Sequence, residues 1–269
     1  MNQPHSYTSS LQLTAPQLNA RQNDILEYAR EHGEVQVDPL SEYFNVTPQT
    51  IRRDLNQLCH LHLLQRIHGG AQIHDGVENL GYLARKRLSI DGKNSIGKRA
   101  AGLIANDSSL FINIGTTTEK VAEHLTDHAG LLVITNNLNV VNILRHSKSI
   151  ELMIAGGAVR REDGGIVGET TADFFAQFRV DYAVIGASAI DEDGAVLDYD
   201  TREVRIAQAI IKNARSVILV ADSMKFERNA PVRIGSIANI DYFVTDEKPC
   251  FEFLEVCRAE DVQVEVATP

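Results

Sequence analysis

The chain has 269 residues, 43% of which are hydrophobic, and it carries a formal net charge of -10 at pH 7. This length favours two domains, and this composition is ordinary for a globular protein. The apolar runs are all far shorter than the roughly 20 residues that cross a bilayer, so no membrane-spanning helix is expected, and the acidic balance argues against a general nucleic-acid coat.

The first stretch, residues 1–17, is polar, contains two prolines and shows no periodicity, so it predicts a disordered tail. It lacks the basic start and the apolar core of an export signal. The cysteines have neither an even count nor the spacing of metal ligands, and they are Cys59, Cys250 and Cys257. Reduced thiols in a cytoplasmic protein are the simplest account, and no metal or cofactor is expected.

Residues 18–75 predict three short helices and a hairpin. Asn19 can cap the first helix, and Asp38-Pro39 has the signature of a capping residue followed by proline, which opens the second helix. Val35 and Val37 suit a short extended piece between these helices. Helices of this length, joined by turns this short, are typical of a helix-turn-helix.

The third helix begins after Thr47, whose hydroxyl can accept a free backbone N–H, and Pro48 takes the first helical position. Ile51, Leu55 and Leu58 recur at helical spacing and predict a buried stripe. The opposite side carries side chains that pair with base edges and phosphates, which predicts a recognition helix. Its candidate DNA contacts are Thr47, Gln49, Thr50, Arg52, Arg53 and Asn56.

After this helix, residues 63–71 place extended segments around Gly69-Gly70, which predicts a β-hairpin and so a winged helix. Arg66 and His68 on the wing either touch a phosphate or the minor groove, or are solvated. Residues 18–75 hold five positive and eight negative side chains, which is unusual for a DNA-binding segment. We therefore expect modest non-specific affinity and reliance on dimerisation and direct readout.

Residues 76–94 predict a linker, because Asp75-Gly76 and Asp91-Gly92 are typical of turns. Between these turns, Arg85-Lys86-Arg87 is the densest positive run in the chain. The run either contacts DNA phosphates beside the wing or forms the solvated face of an inter-domain helix.

Residues 95–269 alternate helical stretches with apolar strands, beginning with a helix over residues 95–105. This alternation predicts an α/β fold with a parallel sheet covered on both faces. The predicted strands are 109–114, 131–135, 151–155, 181–185, 216–221 and 242–245.

Ligands of parallel sheets bind beyond the carboxyl ends of the strands. Small, polar and cationic side chains gather at these ends, which suits a small molecule that carries phosphate and hydroxyl groups. Each element alone has a plainer explanation: a threonine-capped helix start, a glycine turn or a solvated lysine. The candidate effector-binding residues are Gly115, Thr116, Thr117, Thr118, Asn136, Asn137, Gly156, Gly157, Arg161, Asp200, Glu203 and Lys225.

The acidic run from Asp198 to Glu203 permits two interpretations. Paired carboxylates beside a sugar phosphate support proton transfer, whereas a polar loop that starts a helix has no catalytic role. We favour the second, with Asp200 or Glu203 free to contact a bound metabolite. Three functions stay open: a ligand-controlled DNA-binding regulator, an isomerase-like enzyme with a DNA-binding appendage, and a protein-interaction module without a ligand.

The pattern T-x-x-T-I-R-R-D-L from Thr47 to Leu55, preceded by Arg21, resembles the helix-turn-helix signature of DeoR-family transcriptional repressors. The resemblance continues, in family order, through N-I-G-T-T-T, I-T-N-N-L-N-V, A-G-G-A-V-R, D-G-G-I-V-G-E and A-D-S-M-K-F. It implies a winged-helix repressor whose second domain is related in fold to ribose-5-phosphate isomerase. That domain would sense a phosphorylated metabolite, glycerol 3-phosphate or a sugar phosphate.

Two further expectations follow from the DNA-binding assignment and from the family. Two recognition helices must meet successive major grooves of the double-stranded operator, so we expect a homodimer or homotetramer. Asn113 stands where family members usually have aspartate. Asparagine keeps the hydrogen-bonding shape but removes a charge, which leaves the choice of effector open if this residue contacts the ligand.

Overall fold

The computed structural model of the protein describes residues 18–32, 34–61, 63–73 and 82–267. Contacts between residues divide the chain into two compact units, one ending at His74 and one beginning at Asp75. The tail predicted over residues 1–17 lies outside the described residues. The predicted domain limits, including the linker over residues 76–94, stay predictions.

The N-terminal unit is a winged helix-turn-helix, as the sequence predicts. Strands β2 and β3 form an antiparallel hairpin, and β1 pairs with β3 on its other side. Gly69, in the turn of the hairpin, has a φ of +77°, which glycine adopts without strain. The elements are α1 (Ala20–His32), β1 (Glu34–Gln36), α2 (Val37–Tyr43), α3 (Pro48–His60), β2 (Leu64–Ile67) and β3 (Gly70–Ile73).

Helix α2 begins earlier than the sequence indicates. Val37 is its first residue, and Gln36 precedes it without a side-chain cap bond. The prediction that Asp38 caps this helix is wrong, because Asp38 lies inside the first turn. Val37 and Leu40 are both buried, so burial of Val37 in the core sets the start of the helix and overrides its extended preference.

The second unit is built on seven parallel strands in the order β15-β14-β12-β9-β4-β5-β6. In chain order, β4 to β6 run from the centre of the sheet to one edge, and β9 to β15 run from the centre to the other edge. The strand order therefore switches between β4 and β9. The seven strands are β4 (Ser109–Ile112), β5 (Leu131–Thr135), β6 (Ile150–Ile154), β9 (Val180–Ile185), β12 (Ala214–Val220), β14 (Tyr242–Thr245) and β15 (Gln263–Val266).

Helices cover both faces of this sheet, as predicted, because successive strand residues point to opposite sides. In β4, Phe111 belongs to one buried cluster, and its neighbours Leu110 and Ile112 belong to the other. The helices are α4 (Tyr82–Arg87), α5 (Ile90–Ala101), α6 (Thr116–His124), α7 (Leu138–Leu144), α8 (Glu169–Phe175), α9 (Thr201–Lys212) and α10 (Phe251–Ala259).

Shorter elements complete this unit. A two-stranded antiparallel ribbon and a three-stranded antiparallel sheet lie beside the main sheet, together with 3₁₀ turns at Ser223–Lys225 and Ile237–Asn239. The additional strands are β7 (Ala158–Val159), β8 (Ile166–Val167), β10 (Ala189–Ile190), β11 (Ala195–Asp198) and β13 (Val232–Ser236). Within the described ranges, no helix has the length and apolar character needed to cross a membrane.

The predicted turn at Asp91-Gly92 is wrong, because both residues lie inside α5. Gly92 fits the close packing at this position. A Cβ at this position would lie 2.3 Å from a carboxylate oxygen of Asp246, which also accepts a hydrogen bond from the Ser89 hydroxyl at 3.1 Å. The same glycine that suggests a turn in the sequence therefore permits a helix to approach a strand end.

Candidate DNA-binding surface and effector cavity

Helix α3 presents the predicted DNA-contacting side chains to solvent. The Thr47 hydroxyl accepts the Thr50 N–H at 3.3 Å, and Pro48 follows at the first helical position, so the predicted cap is confirmed. Ile51, Leu55 and Leu58 are fully buried on the opposite face. The Thr50 side chain is half-buried, with its hydroxyl 2.9 Å from that of Thr47. The exposed residues are Thr47, Gln49, Arg52, Arg53 and Asn56.

A buried polar cluster fixes α3 against α1. Asp54 is 4% exposed and accepts hydrogen bonds from Arg21 Nε at 2.6 Å and from Gln22 Nε2 at 3.1 Å. The Gln22 amide also donates to Gln57 Oε1 at 2.9 Å. Arg21 and Asp54, which belong to the family signature, therefore hold α3 in place, and the neighbouring Arg53 is exposed.

Replacing Asp54 with alanine should lower the free energy of unfolding of the N-terminal unit by about 2 kcal/mol, because two hydrogen bonds to a buried carboxylate are lost, one of them from a charged donor. Urea unfolding followed by circular dichroism measures this change. Asp24→Ala, which removes an exposed carboxylate from α1, is the matched control. Equal unfolding midpoints for the two variants would show that the cluster does not hold α3.

The wing places Arg66 and His68 at the surface, both exposed. Arg66 also approaches the thiol of Cys59 at the end of α3. Burial raises the pKa of that thiol, and the nearby guanidinium opposes the rise. Arg66 is thus positioned between the end of the recognition helix and solvent, and both wing residues stay predicted DNA contacts.

In the second unit, a polar cavity opens at the carboxyl edge of the sheet, where the strand order switches. In open parallel sheets this is the position at which ligands bind. The cavity is lined by residues that follow β4, β5, β9 and β12, the central strands around the switch. The predicted effector residues in its lining are Gly115, Thr116, Thr117, Thr118, Asn136, Glu203 and Lys225.

The loop between β4 and α6 is braced by its own side chains. The Thr118 hydroxyl contacts two backbone oxygens, those of Asn113 at 2.9 Å and Gly115 at 2.8 Å. Asn113 Oδ1 accepts the Gly186 N–H at 3.1 Å, which ties the end of β4 to the end of β9. An aspartate at 113 would accept the same bond, so asparagine keeps the brace and replaces one further acceptor oxygen with an amide donor. The loop presents the N-terminus of α6, whose first N–H groups favour anions.

Asn136 supplies an acceptor to the cavity. Its side chain is 1% exposed, and its Nδ2 donates to the Ile166 carbonyl at 2.9 Å. Its Oδ1 is buried without a hydrogen-bond partner among the described residues. A buried acceptor without a donor is costly, so this atom suits a donor from a ligand hydroxyl or from water.

Two titratable groups in the cavity have pKa values shifted towards neutrality. Burial, reinforced by Arg228, lowers the pKa of Lys225 to about 7, and Asp222 opposes this shift. Burial and the charge of Asp198 raise the pKa of Glu203 to about 7, and Arg160 opposes the rise. A lysine and a glutamic acid with pKa values near neutrality can change their protonation when an anion binds beside them.

Arg160, the neighbour of the predicted site residue Arg161, binds the acidic side chains beside the cavity. Arg160 donates from Nε to Asp163 Oδ1 at 2.9 Å, and its guanidinium also bonds Glu203 and lies 3.3 Å from Asp200 Oδ2. Burial opposes its charge, but the hydrogen bonds with Asp163 and Glu203 raise its pKa overall. Arg161, the residue predicted for the site, is exposed.

The remaining predicted effector residues lie outside the lining of this cavity. Asn137 is fully buried, and its side chain caps α7 by accepting the Asn139 N–H at 2.9 Å. Asp200 caps α9 by accepting the Arg202 N–H at 2.9 Å. Gly156 and Gly157 are exposed, and Gly156 O accepts the Thr171 hydroxyl at 3.0 Å.

The cavity also contains residues that the sequence analysis did not assign to a site. Ser188 and Asp198 are joined by a hydrogen bond of 3.1 Å, from the hydroxyl to the carboxylate. Arg85 lines the cavity, so it fits neither interpretation of the positive run at residues 85–87. No cluster of residues suited to a metal ion occurs in the described part of the chain.

A winged helix-turn-helix followed by a parallel α/β unit with a polar cavity at its switch point defines a transcription regulator that responds to a small ligand. Residues 21–77 match the DeoR-like helix-turn-helix domain, and residues 88–247 match the DeoR C terminal sensor domain. The chain therefore belongs to the DeoR family of transcriptional regulators.

Named relatives cover most of the chain. It is 44% identical over 246 residues to the glycerol-3-phosphate regulon repressor of Escherichia coli K12, spanning 91% of this chain and 98% of that protein. It is 45% identical over 229 residues to the glycerol-3-phosphate regulon repressor of Haemophilus influenzae, spanning 85% of this chain and 89% of that protein. Relatives with these names place the chain among regulators and not among enzymes.

The solved structures that resemble the chain include D-ribose-5-phosphate isomerase in complex with phospho-erythronic acid. The two share 15% sequence identity with a TM-score of 0.39, over 51% of this chain and 54% of that chain. A likeness of this degree carries no information about function.

Proposed function

We propose that the protein represses a carbon-catabolism operon and is released from its operator by a phosphorylated metabolite, most simply glycerol 3-phosphate. The names of the relatives support both halves of this proposal. The protein would act in the cytoplasm as a homodimer or homotetramer, because two copies of α3 must reach successive major grooves about 34 Å apart.

The observation that carries the effector proposal is the chemistry of the cavity. The N-terminus of α6 at Thr116–Thr118 and the amine of Lys225 offer donors and positive charge to a phosphate. Asn136 Oδ1 offers a buried acceptor to a hydroxyl, and the Glu203 carboxyl lies in the same lining. A small ester with one phosphate and vicinal hydroxyls satisfies both sets of groups.

The predicted residues outside the lining have supporting roles in this proposal. Asn137 and Asp200 cap the helices that follow the cavity loops, and Asp200 also helps to hold Arg160. Gly156 and Gly157 shape the connection to α8. Arg161 is exposed and lies outside the lining, so the proposal assigns it no contact with the effector.

Replacing Arg53 with alanine should weaken operator binding by at least about tenfold, because an exposed arginine on the recognition helix pairs with a base edge or a phosphate. Fluorescence anisotropy measures this on a DNA fragment that the wild-type protein selects from a random-sequence pool. Arg258→Ala, which removes an exposed arginine from α10, is the control for loss of charge. Unchanged binding by the Arg53 variant would contradict the role of α3.

Titration of glycerol 3-phosphate into the protein–DNA complex tests the proposal that a phosphorylated metabolite releases the protein from its operator. Release of the DNA is expected, and by linkage the DNA must weaken binding of the effector by the same factor. Glycerol and inorganic phosphate, tested separately, show whether both functional groups are needed. A complex that holds DNA equally tightly with and without glycerol 3-phosphate and a panel of sugar phosphates would overturn the proposal.

A further inference from the structure

Arg85 in helix α4 lines the cavity and carries an N–H donor that has no acceptor among the described residues. Its side chain is 15% exposed, and it lines the cavity together with Lys225. Its Nε is buried and has no hydrogen-bond partner among the residues that the structure describes. A buried donor without an acceptor costs free energy, so this position suits a ligand that supplies one.

Asp163 does not supply this acceptor. Arg85 Nη2 lies 3.8 Å from Asp163 Oδ2, which is too long for a hydrogen bond. Asp163 is already engaged by Arg160 Nε at 2.9 Å and by the Gly165 N–H at 3.0 Å. Arg85 therefore has a weakly paired positive charge at the wall of the cavity.

The other charged groups of the lining favour an anion at this point. Lys225 is a second cation on the same cavity. The lining carboxylates are engaged within the protein, since Glu203 bonds Arg160 and Asp198 accepts the Ser188 hydroxyl. An anion that reaches both Arg85 and Lys225 would favour the charged form of the lysine and would supply the guanidinium with an acceptor.

Helix α4 is attached to the cavity at a second point. The Tyr82 hydroxyl donates to Glu119 Oε2 at 2.7 Å and accepts from Asn139 Nδ2 at 3.1 Å. Glu119 belongs to α6, the helix whose first residues line the cavity. Along the chain, α4 is the first described element after the wing strand β3, so it begins the path from the N-terminal unit into the second unit.

We propose that Arg85 is a ligand for the phosphate group of the effector and that, through this contact, α4 responds to effector binding. The inference rests on the proposed function. A phosphate within reach gives the guanidinium charged acceptors that Asp163 does not offer, and its fork geometry matches phosphate oxygens. Helix α4 is then held at Arg85 as well as at Tyr82.

Calorimetric titration of the full-length protein with glycerol 3-phosphate and with inorganic phosphate tests this role. Arg85→Ala should weaken binding of both anions by about tenfold or more, the loss typical of a charge-assisted hydrogen bond. Lys86→Ala, which removes the neighbouring exposed cation of α4, should bind within about twofold of wild type. In the anisotropy assay, Arg85→Ala should bind DNA normally but should need correspondingly more glycerol 3-phosphate for release.

The possible outcomes separate this inference from the proposed function. Wild-type protein that binds no phosphate ester would overturn both. Wild-type binding with an unaffected Arg85→Ala variant would overturn the inference alone. If both variants lose DNA affinity without effector and bind the anions normally, the run at residues 85–87 contacts DNA and the inference is wrong. Should Arg85→Ala melt early, Arg85→Lys keeps the charge and should still show a several-fold weaker affinity for the anions, and wild-type affinity in that variant would overturn the inference.

Discussion

Replacing Lys225 with methionine should abolish the release of operator DNA by glycerol 3-phosphate at concentrations that release the wild-type protein. Lys225 follows β12 in the 3₁₀ turn Ser223–Lys225, which places its side chain in the lining of the cavity. Loss of a charged donor to phosphate costs about 1.5–3 kcal/mol of binding free energy, equivalent to a roughly ten- to hundredfold weaker affinity. Operator affinity without effector should not change.

The same substitution should not destabilise the protein, which distinguishes a binding role from a structural one. Burial lowers the pKa of Lys225, which means that the folded protein disfavours its charged form. Methionine has a similar unbranched stem and no charge, so the melting temperature should stay level or rise. The effect of the variant on the effector response is then separable from any effect on folding.

Titration of the protein–DNA complex and a thermal melt measure the two expectations together. Lys212→Met, at the exposed end of α9, is the matched control because it makes the same exchange away from the cavity. Wild-type release by the Lys225 variant would remove this residue from the site. A large fall in its melting temperature would instead assign it a structural role.

Local sequence patterns were sufficient to predict the elements whose position depends on adjacent residues. The Thr47-Pro48 start of α3 depends on one hydroxyl and one fixed φ, both of which belong to adjacent residues. The alternation of apolar strands with helices likewise predicts a covered parallel sheet. The starts of α2 and α5 were missed because Val37 is drawn into the core and Gly92 permits contact with Asp246, and both contacts are tertiary.

The site was predictable in outline and not in detail. Strand ends can be read from the sequence, so the segments that contain Gly115, Asn136 and Lys225 were found. The position of the switch between β4 and β9 depends on strand order, which no local pattern encodes. Arg85 lies 27 residues before the first of these strand ends, which is Ile112 of β4, and only the fold brings it to the cavity.

The sequence likewise did not predict which charged side chains would pair. Arg160 and Arg161 are adjacent and chemically identical, yet the first bonds Asp163 and Glu203 and the second is exposed. The Arg160 N–H donates to the Gly165 carbonyl at 2.8 Å just after β7, whereas Arg161 lies in the turn that follows. Asp54 was noted in the family signature and among the eight negative charges, but no partner was predicted for it, although its burial against Arg21 decides how α3 is held.

Affinity for glycerol 3-phosphate should fall as the pH rises above about 7, because binding takes up protons. In the free protein, the pKa values of Lys225 and Glu203 both lie at about 7. A bound phosphate dianion favours the charged form of the lysine and the neutral form of the glutamic acid, so it raises both pKa values. Above the free pKa, each group must gain a proton on binding, which costs up to about tenfold in affinity per pH unit.

The ester itself limits binding at lower pH, since the second ionisation of a phosphate monoester has a pKa of about 6. The affinity should therefore peak between about pH 6 and 7 and fall by about tenfold to a hundredfold between about pH 7 and 9. The charged groups that act on Lys225 are Arg228, Asp222, Arg85 and Lys93. Arg228 and Asp222 oppose each other, and both remain charged throughout this range, so the transition belongs to Lys225 and Glu203.

Calorimetry at about pH 7.5 in buffers of different ionisation enthalpy measures the protons taken up per effector bound, and about one is expected. Glu203→Gln keeps the shape of the side chain and removes its titration, so it should reduce the proton uptake and flatten the fall in affinity at high pH. The residual slope then reports Lys225. An uptake of zero in the wild-type protein, together with constant affinity between about pH 7 and 9, would show that neither group changes its protonation on binding. In that case the phosphate would have to be held by donors whose charge is fixed, the arginines and the N-terminus of α6.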